Sequence, residues 1–196
     1  SLESGSPETF KRMKRPTNLV HAVQRLQEIR KYGFEEVASN FIIGMPGDTW
    51  NDILTTFEFA DKMVNHDKLL DYALFSIATP LPGTEMFETA MNMNFIPKDF
   101  KPENFYGFGK GVINSEEWSG EDLQVKRAME WDRINFPASR PEHHKKLAKM
   151  LGITMDELKI WRQETRKNSG VQVKSADKTD ETLTTKTLPD LTQTTH

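Results

Sequence analysis

The sequence predicts an α/β fold: a parallel sheet or barrel segment followed by a helical extension. Three observations carry that prediction. Short apolar runs alternate with amphipathic helical patterns through the first 95 residues or so. The runs recur about every 30 residues, the spacing of right-handed βαβ units. Each run ends in a turn containing Gly or Pro that leads into a capped helix start.

In chain order, Ser1-Leu2-Glu3-Ser4-Gly5-Ser6 reads as a strand end that passes at once into a helix. Ser6 is its N-cap and Pro7 its first helical residue, in a short helix Pro7–Met13. A chain that starts inside an element reads as a fragment. Thr17 or Asn18 caps the next helix, whose apolar residues Leu19, Val20, Val23, Leu26 and Ile29 recur by threes and fours until Gly33 ends it. The nearly unbroken apolar run Val37–Ile43 suits a parallel strand covered on both faces. Thr49-Trp50-Asn51-Asp52 has the form of a capping box and opens a helix buried through Ile53, Phe57, Ala60 and Val64. A second strand at Tyr72–Ala78 is broken by Thr79-Pro80-Leu81-Pro82-Gly83, and Thr84 caps a helix through Phe87, Ala90 and Met91.

Beyond Phe95 the pattern turns irregular. Phe105-Tyr106-Gly107-Phe108-Gly109 reads as an ordered loop pinned by aromatic anchors, with a pocket wall as the alternative. Ser119-Gly120-Glu121-Asp122 caps a helix to Asn135, and a helical pair follows at His143–Leu151 and Met155–Arg166, the second capped by Thr154 with Glu157. The stretch after Asn168 holds eight Thr and no aromatic residue, too little apolar surface to offset its ordering entropy, and is expected to be disordered. The expected division is a barrel segment over 1–95, a mostly helical extension over 96–167 and a disordered tail over 168–196.

Composition narrows the function classes. A net charge of -3 lacks the basic excess that phosphate binding shows, so no nucleic acid partner is expected. A mean hydropathy of -0.64, with no apolar run near the roughly 20 residues a span needs, predicts no membrane span. With no basic-apolar leader, the expected location is cytoplasmic. None of the 196 residues is cysteine, which excludes disulfides and thiolate metal sites within them.

In parallel α/β architectures, ligands bind beyond the carboxyl ends of the strands. Those ends are Glu3-Ser4, Gly44-Met45-Pro46 and Thr79-Pro80, which would share one mouth. A Gly-rich turn before a helix often holds phosphate. Here Asp48 and Thr49 would satisfy the helix donors themselves, so phosphate is disfavoured. A flat neutral ring such as adenine, packed on Ile42, Gly44 and Met45 and bonded to bare backbone, fits better, with Glu3 accepting hydrogen bonds nearby. Gly44→Val is then expected to block binding without unfolding the protein.

Four motifs, in this order and spacing, resemble the later half of the radical S-adenosylmethionine superfamily core. They are Glu3-Ser4-Gly5-Ser6, Phe10-Lys11-Arg12-Met13 with Lys14-Arg15, Phe41 through Thr49, and Pro80-Leu81-Pro82-Gly83-Thr84. The likeness is strongest to members with an upstream cobalamin-binding domain. It implies the C-terminal half of a partial (β/α) TIM-like barrel. It also implies that Glu3 and Ser4 lie near the ribose and amino acid part of S-adenosylmethionine, and that Arg15 reaches its carboxylate. The superfamily's Gly-x-Ile-x-Gly-x-x-Glu adenine motif maps onto Asn40, Ile42 and Gly44, with Asn40 replacing the first Gly and Gly47 the Glu. Met45 and Pro46 complete the implied cofactor-binding set.

The same resemblance implies a 4Fe–4S cluster on three cysteine thiolates. Those ligands would lie outside this chain, on a missing N-terminal half of the same protein, and the chain alone would be inactive. Cobalamin would come through a missing upstream domain, and the substrate is a small molecule or unknown. The rival reading is a non-catalytic binding or regulatory protein, because His144 through Leu158 has helix-turn-helix spacing. Its second helix would present Met155, Asp156 and Glu157, and adjacent acids face phosphate poorly, so a packed hairpin closing the barrel is favoured. His143 and His144 point about 100° apart on a helix and read as a solvated basic face.

Overall fold

Side-chain caps set where most helices begin. Ser6, Asn18, Thr49, Thr84, Ser119 and Thr154 each accept a hydrogen bond from the backbone N–H three residues on. They open α1 (Pro7–Arg12), α2 (Leu19–Lys31), α3 (Trp50–Asp61), α4 (Glu85–Asn92), α5 (Gly120–Asn135) and α7 (Met155–Asn168). The remaining helix, α6 (Pro141–Leu151), starts instead on Pro141, whose fixed φ suits the first turn. The computed structural model describes residues 1–16, 18–98, 100–101 and 110–170. Thr17, the aromatic run Phe105–Gly109 and most of the Thr-rich stretch lie outside the described residues. So does the expectation of disorder beyond residue 170; α7 itself runs through Asn168.

Strands β1 (Ala38–Ile43) and β2 (Tyr72–Ile77) pair in parallel, from Ala38 against Tyr72 to Ile43 against Ile77. Glu3 makes an isolated parallel bridge to Phe41 on the other edge of β1. The Glu3 N–H donates to the Asn40 carbonyl at 3.0 Å, and the Ile42 N–H to the Glu3 carbonyl at 2.6 Å. The order across the sheet is therefore the Glu3 stub, β1, β2, an α/β arrangement with parallel strands.

Cover on the two faces is unequal. Phe41, Ile43, Phe75 and Ile77 are buried, with the Phe41 and Phe75 rings stacked 5.5 Å apart and Phe57 of α3 4.9 Å from Phe75. On the opposite face Asn40, Ile42 and Ser76 are only half-buried and Leu74 is 44% exposed. The expected cover on both faces is thus met on one side only. The helices in the described residues close the α3 side, and an apolar sequence run does not reveal from which side its cover comes.

After α3 the backbone widens into a π-helical turn, Lys62–His66, that buries Met63 and Val64. The free edge of β2 lies against α5. There the Asn135 carboxamide binds both backbone groups of Ala73, and Arg127 Nη1 donates to the Phe75 carbonyl at 3.3 Å. Helices α6 and α7 form a hairpin reversed at Gly152, in the left-handed conformation with φ 69°. The hairpin buries Leu147, Ala148 and Leu158 and packs Trp161 edge-on to Trp131 of α5, ring centres 5.0 Å apart. At the start of α7, Glu157 folds back to accept from the Thr154 N–H and hydroxyl. His143 departs from the expected solvated face: it is buried, and the His144 ring nitrogen lies 3.0 Å from the Pro137 carbonyl. Among the described residues, no helix is long and apolar enough to cross a membrane.

Candidate functional site at the strand ends

The turn from β1 into α3 is closed by one carboxylate. Asp48 Oδ2 accepts from the Met45 N–H at 2.9 Å, while Oδ1 accepts from the Thr9 hydroxyl at 2.7 Å and Arg12 Nη2 at 2.6 Å. The Trp118 indole N–H donates to the Asp48 carbonyl at 2.9 Å. Burial pushes the Asp48 carboxyl above its ordinary range, against the pull of the Thr9, Arg12 and Met45 donors. Asp48 therefore ties the turn to α1 and does not cap α3 as expected. The helix start is closed by Thr49 with Asp52, and by Glu117 Oε2 at 2.7 Å from the Trp50 N–H. Asp52 is in turn held below the usual carboxylate range: burial opposes this, but the Ser6 hydroxyl and the Thr49 N–H and hydroxyl outweigh it. With its donors taken by acids, this helix start is unsuited to phosphate.

Gly44 follows β1 with φ 75°, a region that favours glycine. A β-carbon there would stand 2.4 Å from Leu123 Cδ1 and 3.5 Å from the Trp118 ring. A valine there would meet the flexible end of the Leu123 side chain and a positive φ that strains any side chain.

The sequence-predicted residues divide by location. Glu3 and Arg15 come together, with Arg15 Nη2 3.6 Å from Glu3 Oε1 and Glu3 held at φ 65°. Asn40 and Ile42 lie on the half-open sheet face, where Asn40 Oδ1 accepts from the Ser76 hydroxyl at 3.3 Å. Met45 and Pro46 line a cleft of about 670 Å³ with Met13 and Met86, rimmed by Lys11 and Arg12. Ser4 does not face the mouth: it is fully buried, its hydroxyl 3.0 Å from that of Thr56 and accepting the Ser6 N–H. Thr9, Arg12, Glu117, Trp118 and Leu123 shape the turn and were not among the expected site residues. Of these only Arg12 had a sequence signal, as a member of the Phe10-Lys11-Arg12-Met13 motif.

In a parallel ladder, alternate residues of a strand address opposite neighbours. Asn40, Ile42 and Gly44 thus address the Glu3 side, and Glu3 occupies only the Asn40 carbonyl and the Ile42 N–H. Past the stub, the Ile42 carbonyl and the Gly44 N–H have no hydrogen-bond partner among the described residues. The strand end offers one acceptor and one donor side by side. Among the described residues no group of three His, Cys, Asp or Glu side chains could hold a metal ion.

No protein-family profile matches the chain. It is 33% identical over 95 residues to an uncharacterized methyltransferase of Pyrococcus horikoshii, covering 48% of this chain and 19% of that protein. Against the tRNA-2-methylthio-N(6)-dimethylallyladenosine synthase of Thermus thermophilus it is 28% identical, covering 66% of this chain and 25% of the relative. Against the ribosomal protein uS12 methylthiotransferase of Haemophilus ducreyi it is 26% identical, covering 80% and 29%. Over part of its length the chain is thus similar to methylthiotransferases, which are radical S-adenosylmethionine enzymes. It spans between about a fifth and a third of the length of these relatives.

Two expectations change with these methylthiotransferase relatives. One of them is named for a tRNA nucleoside, which does not match the expectation of no nucleic acid partner. The likeness to cobalamin-associated members finds no support among them.

Proposed function

We propose that this chain forms the S-adenosylmethionine-binding side of a radical S-adenosylmethionine enzyme that carries out methylthio transfer. The observation that carries the reading is the Ile42 carbonyl and Gly44 N–H at the end of β1, without a partner among the described residues and one step beyond the Glu3 bridge. An acceptor beside a donor on a strand edge complements the amino donor and ring acceptor of adenine. Glu3 is within reach of a ribose or ammonium group and Arg15 of a carboxylate, and their mutual ion pair sets both side chains beside that edge. When bound, S-adenosylmethionine supplies the radical and methyl chemistry; the residues here hold and orient it. The cluster does not fit this chain, because none of its 196 residues is cysteine. Its thiolates would come from elsewhere in the whole protein, and the chain alone would be inactive.

In this reading the Glu3 stub, β1 and β2 are the last strands of a partial (β/α) barrel over 1–95. The extension over 96–167 closes that barrel's edge, which the bonds from Asn135 and Arg127 to β2 support. The acceptor is the kind of substrate for which the relatives are named, a tRNA adenosine or a ribosomal protein.

Calorimetric titration of the chain with S-adenosylmethionine tests the binding half of the reading. Arg15→Gln should weaken binding about tenfold, or roughly 1.4 kcal/mol, with the urea midpoint unchanged. Equal affinity in wild type and variant would refute the assignment. For the reaction, the longest reading frame containing this chain is reconstituted anaerobically and assayed for 5′-deoxyadenosine release and methylthiolated product.

A further inference from the structure

A second cleft, of about 660 Å³, opens where the π-helical turn, the end of α5, the loop before α6 and α7 meet. It lies away from the mouth: Leu123 of α5 touches Gly44, whereas Asp132 in this cleft is nine residues further along the helix, or about 14 Å at 1.5 Å per residue. Four guanidinium groups line it, those of Arg133, Arg140, Arg162 and Arg166, against the two carboxylates of Asp61 and Asp132.

Three of the four arginines are ion-paired, but Arg162 and Arg166 share the single carboxylate of Asp132, and Arg140 meets no carboxylate among the described residues. Asp132, buried, takes Arg162 in a fork, Nε to Oδ1 at 2.6 Å and Nη2 to Oδ2 at 3.0 Å, and also Arg166 Nη1 at 2.9 Å. Among the described residues Arg140 spends only Nη1, on the Val64 carbonyl and Asn65 Oδ1. Arg133 reaches Asp61 and Glu130, and Glu130 is shared with Lys126. Arg166 is only 9% exposed, yet its Nε has no acceptor among the described residues. A network that served packing alone would balance its charges and pair its buried donors. This one has more cations than anions and an orphaned buried donor.

We propose that this cleft binds a phosphate group, free or carried on an RNA backbone. Phosphate is the anion that planar guanidinium forks grip bidentately. Arg140, Arg162 and Arg166, each with donors to spare, all line a space large enough to admit it. The site stands independently of the cofactor reading at the strand ends, since it shares no residue with it.

The test is a titration of the chain with inorganic phosphate, and separately with a short RNA hairpin, following the arginine Nε–H signals by NMR. Millimolar phosphate should shift the Arg166 and Arg162 signals, Arg140→Gln should weaken binding about tenfold, and Asp132→Asn should tighten it. Shifts with phosphate alone identify a free ion as the source. Shifts at the same arginines with the hairpin, lost as salt is raised and reversed by phosphate, identify an RNA backbone. Should a variant fail to fold by circular dichroism, the wild-type signal shifts decide by themselves. Arginine signals unmoved by both ligands, or an affinity that Arg140→Gln leaves intact in a folded protein, overturn the proposal.

Discussion

The Asn135 carboxamide holds both backbone groups of Ala73, accepting its N–H at 2.8 Å and donating to its carbonyl at 2.8 Å. A side chain thereby does for β2 what a further strand would do. The sheet stops there without leaving that part of its ladder open to other chains.

Asn135→Ala should cost about 2–4 kcal/mol, because two buried backbone groups lose their partners together. Urea denaturation measures the loss, and light scattering should show increased self-association. A change below about 0.5 kcal/mol, the range of an ordinary surface substitution, would mean that α5 does not close this edge.

Gly44→Ala should destabilise the fold by about 2–4 kcal/mol, combining the strain of a positive φ with overpacking against Leu123. Adding Leu123→Ala should recover the packing part and leave the strain. The double mutant is compared with both single mutants by urea melts, and simple additivity would contradict the contact.

Acid should unfold the chain in two stages. Burial first, and then the neighbouring Arg140 charge, push His143 down from 6.5 to about 4. The native state thus favours the neutral ring, and its contribution is complete above pH 6.5 and lost as pH falls toward 4. Asp71 acts lower. Burial would raise its carboxyl, but Lys146, the Val37 N–H and Arg30 together hold it below its ordinary 3.8, so its contribution fades only as pH drops through that range. Stability against pH for His143→Gln should lack the first decline, and for Asp71→Asn the second.

Asp71→Ala at neutral pH should cost about 3 kcal/mol, since it leaves Arg30 and Lys146 facing one another without their shared anion. Thermal melts read the loss. If Asp71→Ala proves neutral, the cluster holds no part of the fold.

Local features were legible in the sequence because their causes are local. The capping boxes at Thr49, Ser119 and Thr154 put cap and acid within one turn, and each forms as read. The parallel pairing of β1 with β2 likewise follows from apolar runs separated by a helix. What the sequence hid depends on residues far apart in it. Ser4 turns inward because Thr56, 52 positions away, receives it, and a strand-end position alone does not distinguish an inward from an outward hydroxyl. Gly44 is crowded by Leu123 and Trp118, more than 70 positions on. His143 is drawn into the interior by the docking of the α6–α7 hairpin, where its helix pattern alone suggested water. The four-arginine cleft also escapes a linear reading, because Arg133 and Arg140 precede the hairpin and Arg162 and Arg166 lie on its second arm.

The widened turn at Lys62–His66 has its own consequence for the sheet. Its Met63 carbonyl accepts the N–H groups of both Leu69 and Leu70, so the turn fixes how much chain is left before β2 begins. Removing one residue there would let an ordinary helix continue, and the next strand would enter its ladder one position out of step. Phe75 and Ile77 would swing to the half-open face, and Leu74 and Ser76 would take their places against α3. That single surplus residue acts as the phase marker of the sheet.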